Sequence, residues 1–150
     1  MKVNSEKFME LRRAVEELRS PGDFLFELGD CPNSDEGITQ RLDLYLEKLG
    51  LKCIGDGWRE IMPGDATKRI KNVLRSDLAY GVPLMEEEAA GRIAERTVDL
   101  FADTDARFFT NVSPVLSAEA WSPISEFTFD QGVVVITCEV IAIIWAFAED

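Results

Sequence analysis

The chain has 150 residues, 46% of them hydrophobic and 29% charged, with a formal net charge of −12. A chain of this length buries roughly 70% of its unfolded surface without a metal or disulfide staple, so one domain spanning residues 1–150 is expected. The charge repels phosphate backbones and argues against a nucleic-acid ligand, and the absence of histidine excludes Ser-His-Asp and Cys-His catalysis, the HExxH metal site and imidazole general bases.

In chain order, the opening "MKVNSEKFMELRRAVEELRS" is too polar for a secretory signal, which makes a cytoplasmic protein the expectation. Phe8, Leu11, Val15 and Leu18 recur at helical spacing over residues 4–19, and Ser20-Pro21-Gly22 stops the run. "DFLFEL" fits a short strand and "GDCPNSDEG" a polar loop. A second helix is expected over 38–49, with Leu42, Tyr45, Leu46 and Leu49 on one face and Gly50 as its stop. "LKCI" and "WREIM", separated by Gly55-Asp56-Gly57, read as a small hairpin.

Asp65 suits the cap of a third helix running to about Tyr80, with Ile70, Val73, Leu74 and Leu78 inward. After Gly81-Val82-Pro83 a fourth helix is expected from about Met85 to Ala102. Glu86, Glu87 and Glu88 suit its positive N-terminal end. Ala90, Ile93, Ala94, Thr97, Leu100 and Phe101 form its buried stripe, and the opposite stripe reads Glu88, Arg92, Glu95, Asp99, Asp103, an acidic ridge interrupted by one arginine. Beyond Phe108-Phe109, a loop holding Pro114 and Pro123 leads to the C-terminal segment.

From Val133 to Ala148 the chain is nearly all apolar, and nine of the sixteen residues are β-branched. The run is short for a membrane helix, and Glu139 near its middle would be costly in a bilayer, so no membrane span is expected. Three antiparallel strands are predicted, about 124–129, 133–138 and 141–147, the first pair joined by a turn at Asp130-Gln131-Gly132. Cys138-Glu139-Val140 fits a second turn, with a bulge or an open-face position for Glu139 as alternatives. Such unbroken apolar runs imply a sheet covered on both faces, or an edge covered by something else, with helices of the same chain favoured as the cover. The expected fold is α+β: N-terminal and central helices packed on a C-terminal antiparallel sheet.

The charge is unevenly placed. Residues 1–75 hold 13 Lys/Arg and 14 Asp/Glu, whereas residues 76–150 hold 3 and 14. An acidic half of this kind steers a basic partner inward; the simpler reading is a well-solvated acidic surface. Catalytic signatures are missing: there is no GxGxxG, Walker-type loop or GxSxG. Cys31, Cys53 and Cys138 lack metal-type spacing and read as reduced thiols. Asp30, Asp35 and Glu36 beside Cys31 are expected to raise its pKa and blunt it.

Asp99, Asp103 and Asp105 offer oxygens to a divalent cation, but Asp103-Thr104-Asp105 lacks the glycine and distal glutamate of an EF-hand loop, and an exposed acidic helix end is the simpler reading. Glu126 and Asp130 form a possible acid/base pair, although carboxylates near hairpin turns usually serve the turn. No metal, cofactor or catalytic residue is assigned. Trp58, Trp121 and Trp145 suit core anchors. Trp121, in the loop "SAEAWSPIS", has a second reading as a binding hot spot rimmed by carboxylates.

In its small size, acidity and lack of catalytic signatures, and in the closing "WSPISEFTFDQGVVVITCEVIAIIWAFAED", the chain resembles the immunity proteins of contact-dependent and polymorphic toxin systems. The resemblance implies a non-catalytic protein that binds a basic toxin domain, often a nuclease, and blocks its active site. The expected contact surface is the ridge Glu88, Glu95, Asp99 and Asp103, with Asp105 and Trp121. The alternatives are a carboxylate-based, divalent-metal-dependent hydrolase and a subunit that buries its apolar sheet in a homodimer.

Overall fold

The computed structural model describes residues 2–19, 22–33, 35–115 and 118–149. The chain order is α1 (Ser5–Leu18), β1 (Asp23–Asp30), α2 (Ile38–Lys48), a 3-10 turn (Gly55–Gly57), β2 (Arg59–Ile61), α3 (Pro63–Arg75), α4 (Glu87–Asp99), β3 (Arg107–Thr110), β4 (Val112–Val115), β5 (Ala118–Trp121), β6 (Phe129–Ile136) and β7 (Val140–Ala148). Five strands form one antiparallel sheet in the order β1-β7-β6-β3-β2, and β4 pairs with β5 in a separate hairpin. The fold is α+β, as the sequence predicts.

The unbroken apolar run of β6 and β7 follows from their central position. Alternate residues of Val133–Ile136 and Ile141–Ala146 enter two different cores, so this stretch is apolar on both faces. Val133, Val135, Ala142, Ile144 and Ala146 meet α1, α3 and α4 through Phe8, Val15, Ile70, Val73, Ala90 and Ile93. Val134, Ile136, Ile141, Ile143 and Trp145 meet α2 and its neighbouring loops through Leu42, Tyr45, Leu46, Trp58 and Ile124. The expected cover by helices of the same chain is present on both faces. Each of these branched side chains contributes about 1.5–3 kcal/mol by its burial.

Local chemistry sets the helix ends. Asn4 caps α1 by accepting from the Lys7 amide at 3.1 Å. The helix gives way to extended backbone at Arg19, while Ser20 and Pro21 of the expected stop lie outside the described residues. Arg19 is itself buried and donates to the carbonyls of Leu74 and Val73 at 3.1 and 3.3 Å, satisfying the C-terminal end of α3. Leu18 and Leu49, expected inward, are exposed at the ends of their helices.

Several expected elements differ. No strand forms at 51–54, and β2 pairs with β3 rather than with "LKCI". The reason is Asp43: its carboxylate accepts from the amides of Ile54 and Gly55 and from Trp58 Nε1, at 3.1, 3.1 and 2.9 Å, which fixes a loop there. Helix α3 begins two residues before Asp65, with Met62 as cap and Pro63 in its first turn, and it ends at Arg75 rather than Tyr80. The following residues form a turn in which Asp77 accepts from the Tyr80 amide at 2.9 Å. Helix α4 is shorter than expected, Glu87–Asp99, with Glu86 as its cap. The segment after Phe108-Phe109, expected as a loop, contains the hairpin β4–β5.

The turn expected at Asp130-Gln131-Gly132 is absent. Strand β6 runs straight through it, and 124–128 is a bend rather than a strand. Asp130 lies fully buried beneath that bend. Its carboxylate accepts from the Ile124 and Ser125 amides at 3.1 Å, Ser125 Oγ at 2.8 Å, and Asn111 Nδ2 and Trp145 Nε1 at 3.3 Å. Gly132 supplies closeness rather than a turn: a Cβ there would run into the Ile144 carbonyl and sit 2.7 Å from Trp145 Cα. The second expected turn, around Cys138-Glu139, does join β6 to β7.

Candidate functional site

Helix α4 turns Ala89, Ala90, Ile93, Ala94 and Thr97 inward. Helical periodicity then forces Glu88, Arg92, Glu95 and Asp99 outward, and all four are exposed. Asp103 continues the acidic line on the turn after the helix, exposed and with a left-handed backbone (φ 62°), which aspartate tolerates better than most residues. Glu87 is spoken for: Lys71 and Arg75 sit 3.2 and 3.5 Å from its carboxylate, and the Lys71 hydrogen bond leads in holding its pKa below the usual value. By contrast, Glu88, Glu95, Asp99 and Asp103 have no ion-pair partner among the described residues. These carboxylates remain hydrated and available.

Beside the ridge lies a groove the sequence did not disclose. Helices α1 and α4 enclose a cavity of about 490 Å³ whose apolar walls are Leu11, Ala14, Ile93 and Leu100 and whose charged rim includes Glu10, Arg96 and Asp99. Asp99 thus belongs both to the ridge and to the groove. Periodicity marked each helix's inner face but carried no information about which two helices stand side by side.

Two of the expected contact residues, Asp105 and Trp121, have partners of their own within the fold. The Asp105 carboxylate accepts from the Cys138 amide at 3.2 Å, tying it to the β6–β7 turn; its charge is also the leading cause of the raised Cys138 pKa. Trp121 is half-buried on β5 rather than in a loop, with its ring 5.5 Å from that of Phe129. Trp58 and Trp145 are core anchors, packed edge to face at 6.1 Å.

The other constellations separate. Asp99, Asp103 and Asp105 do not converge, and no group of three or more metal-ligating side chains is found among the described residues. Glu126 is exposed and pairs with Lys52 at 2.7 Å, while Asp130 is buried with its donors, so the two make no acid/base pair. The Cys31 pKa is raised, but mainly by burial, with Arg41 opposing; Cys138 and Asp105 add to the rise rather than Asp30, Asp35 or Glu36. No known protein family, curated protein or solved structure matches this chain. No helix among the described residues is long and apolar enough to cross a membrane.

Proposed function

We propose that the chain is a non-catalytic binding protein of the immunity or inhibitor kind, acting in the cytoplasm, that neutralises a basic toxin domain, with a nuclease as the class its charge suits best. The observation that carries the reading is the row of exposed carboxylates on α4, Glu88, Glu95 and Asp99, that have no cationic partner among the described residues although Glu87 beside them has two. A nuclease presents lysines and arginines to phosphate. Carboxylates that pair with those same cations occupy the substrate's place. The adjoining groove supports the reading, because interfaces draw most of their affinity from a few apolar anchors set in pockets while charge governs encounter. Asp105 is engaged by the Cys138 amide and Trp121 packs against Phe129, so the reading is carried by the α4 carboxylates rather than by these two.

The test is a pull-down of the tagged chain from its own cells at low and moderate salt, read by mass spectrometry, alongside a Glu95→Lys/Asp99→Lys variant. A single stoichiometric basic partner whose recovery falls about tenfold or more in the variant and declines with salt supports the reading, since exposed charge governs encounter. A partner bound equally well by the variant removes this surface from consideration. No partner at either salt removes the inhibitor reading itself.

A further inference from the structure

Two cysteines from opposite ends of the chain come together where β1 ends. Strand β1 pairs with β7 as far as Asp30 opposite Val140, and the ladder runs one step further: the Cys31 amide donates to the Glu139 carbonyl at 3.0 Å. Cys31 therefore stands opposite the residue next to Cys138. A hydrogen-bonded antiparallel pair has Cα atoms about 5.5 Å apart, and one step along the strand adds about 3.4 Å. The Cα atoms of Cys31 and Cys138 are then about 6.5 Å apart, inside the range of roughly 4.4–6.8 Å that a disulfide spans.

Neighbours along a regular strand face opposite ways, which would send Cys138 away from Cys31. The β6–β7 turn breaks that alternation. Cys31 packs against the core that α2 covers, and Cys138 lines a hollow with Gly37, Ile38 and Arg41 at the start of α2, so both face the same side. Arg41 joins them, since its guanidinium also donates to the Cys31 sulfur. The turn is fixed by its own hydrogen bonds: Asp105 accepts from the Cys138 amide at 3.2 Å, and Thr137 Oγ1 accepts from the amides of Glu139 and Val140 at 3.1 and 2.9 Å. Cys31 is half-buried and Cys138 exposed, and both are free thiols. Cys53 lies apart, its sulfur donating to the Asp43 carbonyl and the Glu47 carboxylate at 3.6 and 3.3 Å.

We propose that Cys31 and Cys138 are a redox-sensitive pair that closes to an intramolecular disulfide, clamping the end of edge strand β1 to the β6–β7 turn. The oxidant is a small-molecule disulfide of the glutathione kind. The exposed Cys138 thiolate attacks one of its sulfurs, forming a mixed disulfide and releasing one glutathione thiolate. The Cys31 thiolate, with Arg41 beside it, then attacks the Cys138 sulfur, forms the protein disulfide and releases the second glutathione thiolate. The two thiol protons end on the two glutathiones, which are reduced as the pair is oxidised. Burial raises the Cys31 pKa and the Asp105 charge raises that of Cys138, so the exchange is slow at neutral pH and quickens in mild alkali. The inference does not rest on the inhibitor reading, since neither cysteine lies on α4.

The test uses the full chain carrying Cys53→Ser, which removes the third thiol. It is equilibrated with mixtures of reduced and oxidised glutathione at mildly alkaline pH, quenched in acid, and read by intact mass and non-reducing peptide mapping. The expected product is a monomer lighter by two hydrogens, with Cys31 and Cys138 in one linked peptide. It should form under conditions about tenfold or more as reducing as the same chain needs in denaturing urea. Its urea midpoint should lie above that of the reduced chain, because the bond closes a loop holding most of the sequence. A chain that stays reduced, that stops at mixed disulfides with glutathione, or that links only between molecules overturns the pair. So does a bond that forms as readily in urea or that lowers the midpoint, since the fold would then not hold the two thiols within reach.

Discussion

Asp130 gives the sharpest test of how the C-terminal half is held. Its carboxylate is inaccessible to solvent and is approached by five donors from three segments: Ile124 and Ser125 of the bend, Asn111 between β3 and β4, and Trp145 of β7. In Asp130→Ala, Asn111 keeps the carbonyls of Ser122 and residue 130 as acceptors, each at 2.9 Å. The Ile124 and Ser125 amides and the Trp145 indole lose the carboxylate. A buried donor without an acceptor costs about 1–3 kcal/mol, and with the bend at 124–128 relaxing to give some of the three a new partner the loss for alanine is about 3–6 kcal/mol. Asparagine keeps one oxygen but turns an NH₂ toward these donors, so it recovers only part, leaving a loss of about 2–4 kcal/mol. Urea unfolding followed by tryptophan fluorescence reads this directly, since Trp145 sits at the site. With a slope of about 1–3 kcal/mol per molar urea, the alanine midpoint falls by roughly 2 M. An asparagine variant within about 1 kcal/mol of the parent would mean that the carboxylate is not the organising acceptor, and the reasoning fails.

Gly132→Ala forces a Cβ against the Ile144 carbonyl and the Trp145 backbone, so a loss of about 3 kcal/mol or more is expected in the same urea assay, and an unchanged midpoint would show that β6 and β7 can part there without cost. Asp43→Ala releases two amides and the Trp58 indole at a partly exposed site, where water takes up some of them, and should cost about 1–2 kcal/mol. The Cys53 thiol is pushed up to about 11 by packing of the sulfur, then by Glu47 and Asp43. Its thiolate is therefore about 100-fold scarcer than that of an ordinary cysteine at neutral pH, so iodoacetamide should label it slowly and Glu47→Gln should speed labelling. The same shift has a consequence for stability. Cys31, Cys53, Cys138 and Tyr45 are all raised, so each ionises first in the unfolded chain. The stability they contribute is whole below about pH 9 and drains away as pH climbs past it; a midpoint that rises between pH 8 and 10 would contradict the sign.

Helices were the most legible elements because their signal is local. Phe8, Leu11 and Val15, or Ile70, Val73 and Leu74, mark an inner face whatever stands opposite. The exposed ridge on α4 was legible for the same reason: once Ala90, Ile93 and Ala94 turn in, Glu88, Glu95 and Asp99 turn out. The misread segment was 124–132, where the residues carry a double meaning. Asp-Gln-Gly is ordinary turn chemistry, and nothing nearby in sequence announces that Asp130 accepts from Trp145 or that Gly132 makes room for it. Strand β2 was legible within "WREIM" but its partner was not, and β3 was obscured by its shortness, four residues, too few to display alternation. The α1–α4 groove was invisible in principle, since it joins side chains from segments distant in the chain.

The sheet order has a consequence for how the molecule comes into being. Strand β7, the last made, lies between β1, the first made, and β6, with Asp23 opposite Phe147 and Asp30 opposite Val140. During synthesis β1 therefore waits for nearly the whole chain before it has a neighbour. Phe26 and the inner faces of α1, α3 and α4 have no floor to pack on until Val133–Ala148 emerges. Folding is thus a late, concerted closure around the final hairpin, slowed by the long loops it must draw in. Until then the nascent protein presents three apolar helix faces at once, which makes the interval before its last strand the time when chaperones have most to hold.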